Sequence, residues 1–406
     1  MEIVLQILFW TSILVIFHSY IFYPILLKIL NKKNSNAIFF SRNDELPLVS
    51  ILMSIFNEEE VIAEKIETIL KSNYPADKIE ILIGSDNSSD RSNEIVGNYA
   101  KKYPNIKFYP FSKRQGKPGV INQIFDKSNG SIIVLSDANV FFHEETVFEM
   151  IKYFKDEKIG LVDTHMVNKG LVKDGISVQE SAYISREVGI KNAESNIWGT
   201  MMGPFGGCYS IRRELYKPVP ANFLVDDFYI NMKVLQKGYR AINNLKSLVF
   251  EDVSNNLHDE FRRKIRIATG NFQNLNKFKK LLLGIIGINP FEKNAKRYTS
   301  KFGVSFSFLS HKVLRWIIPF FIIIIFLTNI FLLDKIIYQL SFLGLLFSFS
   351  LPFWDILLKK INIHISILRF ITHFYSMNIA LFIGFFKWAK GVKSGVWQPT
   401  KRNQTN

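Results

Sequence analysis

An acid and an amide two residues apart, Asp137 and Asn139, follow directly on the apolar, β-branched run Ser131 to Ser136. On an extended segment such a pair faces one side, and hard oxygen donors of this kind could share a divalent cation, Mg²⁺ or Mn²⁺, with diphosphate oxygens. The His and Cys clusters that zinc requires are missing. Two further apolar runs end in polar groups: Ile51 to Ile55 leads to Asn57 and Glu58, and Ile79 to Ser85 leads to Asp86. Asp86 could accept from a base N–H or a ribose hydroxyl, or serve as a local cap; Asp90 has the composition of a turn and helix cap. Lys117 opens a helix behind Arg114, Gln115 and Gly116, a corner suited to phosphate. Asp226 and Asp227 either cap a helix or supply a general base for an alcohol. The glycine-rich stretch through Gly206 and Gly207 precedes them and would let an acceptor approach closely. Arg263 and Arg266 could clamp a diphosphate or meet anionic lipid headgroups.

Positioning these groups on one edge requires a particular scaffold. From 45 to about 255 the chain alternates strand and helix patterns. Helices are expected over Glu58 to Lys71, Ser92 to Lys101, Lys117 to Lys127, Glu144 to Phe154, Gly175 to Asn192 and Asp226 to Gln236. Strands are expected over Ile106 to Tyr109, Ile159 to Met166, Cys208 to Ile211 and Tyr239 to Glu251, besides the three runs above. This order predicts an α/β fold, a mostly parallel sheet flanked by helices, with its ligand at the carboxyl ends of the strands.

The chain is too long and too aromatic for that domain alone: it has 406 residues, 37 of them Phe. Ile3 to Leu30 is nearly unbroken apolar sequence, longer than the about 20 residues a bilayer requires. It lacks a basic leader and a small-residue cleavage site, so it reads as an uncleaved anchor rather than a signal peptide. Further spans are expected at about 312 to 333, 336 to 358 and 364 to 386. Residues 256–295 mix basic and apolar residues, as interfacial helices do, although a core helix has the same look. The expected organisation is therefore an anchor (1–33), a catalytic domain (45–255), interfacial helices (256–295), membrane helices (305–390) and a basic tail (391–406). The formal charge of +16 is scattered and flanks the apolar runs. That favours an anionic membrane surface and a phosphate-bearing substrate over nucleic acid. Cys208, the single cysteine, allows no internal disulfide.

Positive charge sets a topological problem. Lys28, Lys32, Lys33 and Arg42 follow the first span, placing the domain in the cytoplasm. Three more crossings would put the tail outside, whereas Lys387, Lys390, Lys393, Lys401 and Arg402 ask for inside. The last span, with Arg369 and His373, is then re-entrant or interfacial, or two helices are concealed in one run.

Taken together, Ser54-Ile55-Phe56-Asn57-Glu58-Glu59, Ser85 to Asp90, Gly116-Lys117-Pro118-Gly119, Ser136-Asp137-Ala138-Asn139, Gly206-Gly207 with Arg212-Arg213, and Asp226-Asp227 resemble the membrane-integrated family 2 glycosyltransferases, the group of cellulose, hyaluronan and chitin-type synthases. The resemblance implies a GT-A fold and inverting transfer from a UDP-sugar to a glycan or lipid-linked acceptor at the cell (inner) membrane, in bacterial cell-surface polysaccharide or glycolipid synthesis. By match, Asn57, Glu58 and Asp86 would hold the uridine, Lys117 the nucleotide and Asp137 the metal. Asp227 falls at the base, with Gly206, Gly207 and Asp226 at the acceptor. Two departures stand out: the second metal position is the neutral Asn139, and the QxxRW motif is reduced to Arg266, with Arg263 and Ile267 where Gln and Trp are expected. Trp397 to Thr400 with Arg402 resembles the tail of bacterial members. The altered motifs leave a second reading, a non-catalytic nucleotide-sugar sensor or scaffold.

Overall fold

The computed structural model describes residues 1–31, 38–170, 177–252 and 257–396. Lys32, Lys33, the helix start expected at Gly175, and Trp397 to Arg402 lie outside the described residues.

Among the described residues the strands are β1 (Val49–Ile55), β2 (Ile79–Ser85), β3 (Ile106–Pro110), β4 (Ile132–Ser136), β5 (Val140–Phe142), β6 (Ile159–Lys169), β7 (Cys208–Arg212) and β8 (Arg240–Asp252). They form one sheet in the order β3-β2-β1-β4-β7-β6-β8-β5. The half containing β3, β2, β1 and β4 is parallel, as is the β6–β8 pair. The insertion of β7 antiparallel between β4 and β6, and the antiparallel β5–β8 pair, make the sheet mixed. Hydrophobic alternation did not reveal β5, which at three residues is too short to show a period.

Both faces of the parallel half are covered because successive side chains alternate across a strand. Ile51, Met53, Ile81 and Ile83 pack on one face against α2 (Ile62–Leu70) and α3 (Ser92–Lys102). Leu52, Leu82, Ile133 and Leu135 pack on the other against α4 (Gly116–Phe125) and α7 (Asp226–Gln236). A short helix, α5 (Thr146–Ile151), and a 3₁₀ turn replace the single helix expected from Glu144 to Phe154. The first helix also begins later than its pattern implied. Glu58 to Glu60 form a turn instead, since the loops after β1 and β2 are fastened together: Asn57 N donates to Ser88 Oγ (3.1 Å), Glu58 N to Ser92 Oγ (2.8 Å) and Glu59 N to Asp90 Oδ2 (3.0 Å). Conversely, α6 (Ser177–Trp198) runs past Asn192, ending only at Gly199, whose φ of 67° breaks the helix.

The second core continues without interruption into α8 (Leu257–Phe278) and the first turns of α9 (Lys301–Ile330), through Phe272, Phe278, Phe308 and Trp316. Among the described residues, besides α9, three helices are long and apolar enough to cross a membrane: α1 (Glu2–Leu30), α10 (Ile336–Lys360) and α11 (Ser366–Ala389). The α9 helix starts at Lys301 rather than near 312, and its His311 and Lys312 pair with Glu187 of α6. An ion pair between Glu2 and Lys335 joins the beginning of α1 to the turn between α9 and α10. Helix α11 lies along α8: Phe385 meets Phe272 at 5.3 Å between ring centroids, and a Cβ on Gly384 would touch the Ala268 Cβ. Beyond α11 the chain returns to the α/β domain, where Asn222 Nδ2 donates to Val392 O (3.2 Å) and Gly395 N to Ala221 O (3.1 Å). Residues 391–396 therefore sit on the same side as that domain.

A buried ion pair pins α6 to the sheet: Lys191 Nζ is 2.6 Å from Asp163 Oδ2, with both side chains almost fully enclosed. Removing one partner of such a pair leaves a buried charge and costs about 3–5 kcal/mol. Lys191→Met is expected to lower unfolding stability in detergent by roughly that amount, with the double variant Lys191→Met/Asp163→Leu recovering most of it. A single variant as stable as the parent would show that the pair contributes nothing.

Candidate active site

The loops leaving β1, β2 and β4 converge where the sheet order reverses direction around β1, the place at which an open α/β sheet leaves a crevice. A cavity of about 880 Å³ lies there, lined by Asn57, Glu58, Asp86, Lys117, Asp137 and Asn139. Its wall continues through Gly206, Gly207, Asp226, Asp227, Arg263 and Arg266. Every residue singled out for chemistry in the sequence thus borders one space.

Within it the acids have distinct surroundings. Asp86 accepts from Gln115 N (2.7 Å) and Gly116 N (3.0 Å), so its carboxylate holds the glycine turn that opens α4. Gly116 takes φ 78°, a conformation glycine adopts without strain. The Arg114 guanidinium lies 3.4 Å over the Phe56 ring and 3.5 Å from Asp86 Oδ2, forming a flat cationic wall. Asp90 is a cap and brace, accepting from Ser92 N and Glu59 N.

Lys117 Nζ stands 2.7 Å from Asp137 Oδ1 and 3.6 Å from Asp226 Oδ2, bridging the end of β4 and the start of α7. Burial opposes its charge, but Asp137 and Asp226 outweigh burial and hold the ammonium above its ordinary range. Asp137 and Asn139 belong to a turn, not to the extended segment expected. That turn is braced from beneath by Lys65, which burial lowers to about 7 and which donates to Ser136 Oγ (2.8 Å) and to the Val140 carbonyl. Asn139 Nδ2 donates to Glu251 Oε1 (3.3 Å).

Asp227 lies in the first turn of α7 and accepts from its own following amide, Phe228 N, at 2.7 Å. Burial, and then the adjacent Asp226, raise its carboxyl to about 7 against the pull of Lys117. Gly206, at φ 82°, passes so close that a Cβ there would lie 2.4 Å from Asp227 Oδ2. If the chain carries out the sugar transfer that the sequence resemblance implies, Gly206→Ala should displace this carboxylate and lower kcat/KM for it by about tenfold or more, while nucleotide affinity stays within a few-fold. An unchanged kcat/KM would remove Asp227 from the reaction.

The two arginines of α8 differ. Arg263 is tied to Glu260 three residues back (2.9 Å), and Glu260 is the main cause of its raised pKa. Arg266 donates to Leu224 O (3.2 Å); burial, then Arg263, lower it to about 10.

The sequence reading missed Lys65, Glu251 and a second group of charges bordering the same cavity, Glu187, His311, Lys312 and Arg315. Lys65 carried a signal, falling at helical spacing among the buried Ile62, Ile66 and Ile69. His311, Lys312 and Arg315 of the second group carried a clearer one, ionisable residues within an apolar run.

Residues 50–219 are matched by the sequence profile described as Glycosyl transferase family 2. The chain is 26% identical over 238 residues to a probable glycosyltransferase of Bacillus subtilis (strain 168), YdaM, covering 56% of each chain. It is 35% identical over 119 residues to a beta-monoglucosyldiacylglycerol synthase of Trichormus variabilis, covering 29% of this chain and 25% of that one. The chain thus spans about half, or less, of the length of these curated relatives. A mannosyltransferase of Pyrobaculum calidifontis, solved in complex with GDP-Man and Mn²⁺, shares the fold with a TM-score of 0.67 at 19% identity, over 94% of this chain and 99% of that one.

Proposed function

We propose, from the match of residues 50–219 to the Glycosyl transferase family 2 profile, that the chain transfers a sugar, with inversion, from a UDP-sugar to a hydroxyl of a glycan or lipid-linked acceptor presented at the face of the cell membrane. One observation carries this reading: a single cavity extends from the strand ends, where a nucleotude-sugar would lie, to helices α9 and α11. A donor from the aqueous side and an acceptor from the bilayer side can therefore meet at Asp227.

In the proposed reaction Asp227 removes the acceptor proton, and the oxygen attacks the anomeric carbon. Lys117 and Arg266 lie on the side where the leaving diphosphate gathers charge. Asp86 keeps the Gly116 turn open to it. The donor atoms suit a hard divalent cation, since such ions are commonly held by one or two protein oxygens together with substrate phosphates. Among the described residues no three His, Cys, Asp or Glu side chains are grouped as a self-sufficient metal site. Asp137, with the amide oxygen of Asn139, would hold the ion, which when bound neutralises diphosphate charge.

In the membrane, α1, α9 and α10 cross, and α11 lies at the interface along α8. The domain and the tail then share the cytoplasmic side, satisfying the positive charge on both.

Purified protein in detergent, supplied with UDP-sugars and with lipid or oligosaccharide acceptors, should release UDP and yield a product heavier by one sugar residue. Binding of UDP-sugars without release under any pairing would instead establish the sensor reading. Release from a GDP-sugar alone would correct the donor.

A further inference from the structure

We infer that the bilayer-side end of the cavity is an anion subsite, built by Arg315 and Lys312 to hold a phosphate or phosphodiester group carried by the acceptor molecule. This rests on the acceptor side of the proposed function and adds the acceptor's chemical class: a hydroxyl compound that also bears a phosphate.

The hydrogen bonding around this end is incomplete at Arg315. Glu187 of α6 receives His311 Nε2 at 2.9 Å, Lys312 Nζ at 3.0 Å and a close bond from Arg315 Nη1. The neighbouring carboxylate offers no relief. Glu194 is occupied by the Tyr23 hydroxyl (2.8 Å), His311 Nδ1 (2.8 Å) and Met202 N (3.0 Å). Lys191, the next cation on the wall, is committed to Asp163. Two permanent cations thus share one carboxylate. Moreover, Nε and Nη2 of Arg315 are buried without any hydrogen-bond partner among the described residues, although the side chain is only 11% exposed. Buried guanidinium N–H groups left unmade are costly, and their planar fork matches phosphate oxygens.

The backbone is arranged for the same purpose. Phe308–Val313 is a π-helical turn within α9, a local widening that is frequent at functional sites. It faces a second π turn, His18–Phe22 of α1, across the 2.9 Å contact between His18 Nε2 and Ser310 Oγ. Beyond Arg315 the helix is apolar from Trp316 to Leu327, so a headgroup at Arg315 would leave its chains among hydrophobic residues. Glu187 is the internal counterion that occupies Arg315 until an anion arrives.

The test is calorimetric titration of the full chain in non-ionic detergent with three probes: dioctanoyl phosphatidylglycerol, dioctanoylglycerol and glycerol 3-phosphate. The phospholipid is expected to bind about tenfold or more tightly than the neutral diacylglycerol. Arg315→Gln should reduce that preference to within about threefold, Arg315→Lys should restore part of it, and Glu187→Gln should strengthen it. UDP titration reports whether each variant is folded. Glycerol 3-phosphate binding that depends on Arg315 would support the subsite and assign its source to the aqueous side; binding of the phospholipid alone supports it and assigns the source to lipid. Equal affinity of the wild-type protein for the charged and neutral lipids, with no Arg315-dependent glycerol 3-phosphate binding, would overturn the inference, as would a preference that survives in a folded Arg315→Gln. Should UDP release fail with every sugar while the preference persists, the transfer reading falls and the subsite stands; transfer without the preference gives the reverse.

Discussion

Replacing Asp227 by Asn is expected to lower the rate of sugar transfer by about 10²–10⁴, the usual effect of removing a correctly placed general base. The substitution keeps the shape of the side chain and its contact with Phe228 N, so binding of the nucleotide-sugar should change little. The pH dependence makes the test specific. Burial and Asp226 hold Asp227 near 7, well above an ordinary carboxyl, and only the ionised form can take a proton. At acid pH the group is protonated and idle. In the wild-type protein kcat/KM should therefore rise tenfold per pH unit below about 7 and level off above it. The residual activity of Asp227→Asn should lack that limb. A variant retaining full rate, or retaining the same inflection, would show that another group is the base.

Lys117→Met should be the second most damaging change, lowering kcat by about 10²–10³, as removal of one charge-stabilising group in a water-poor site does. Lys117 lies between Asp137 and Asp226 and is the main favourable influence on ionised Asp227. Its loss therefore has a second signature with a definite sign. With the cation gone, the proton on Asp227 is held more tightly, and the inflection in kcat/KM moves to higher pH. Nucleotide binding measured by titration should weaken as well. A loss of rate with an unmoved inflection would mean that Lys117 acts on the nucleotide alone and is electrostatically separate from the base.

These two variants also separate what was legible in the chain from what was not. Asp86, Lys117, Asp137 and Asp227 were readable because each follows an apolar run or opens a helix, and a sheet with helices on both faces leaves strand ends no other place to present their polar groups. The α/β class followed from the same alternation. Local pattern also located the four apolar helices to within a few residues, α9 excepted.

The tertiary structure decided what no local pattern encodes. Glu58 to Glu60 look helical by spacing, yet they form a turn because Ser88, Ser92 and Asp90, some thirty residues away, claim the backbone amides of Asn57, Glu58 and Glu59. The direction of β7 depends on which edge of β4 is free, a long-range matter of pairing. Charge alone placed the tail on the same side as the domain, but only the packing of α11 along α8 supplies a path that reaches Ala221. At the far end of the cavity Arg315, a residue that hydropathy treats as an interruption of a span, meets Glu187 from a helix more than a hundred positions earlier. Sequence determines which residues are chemically able, because that is a property of each side chain and its nearest neighbours. Which of them share a low-dielectric space, and so alter one another's charge, is settled only when distant segments pack together.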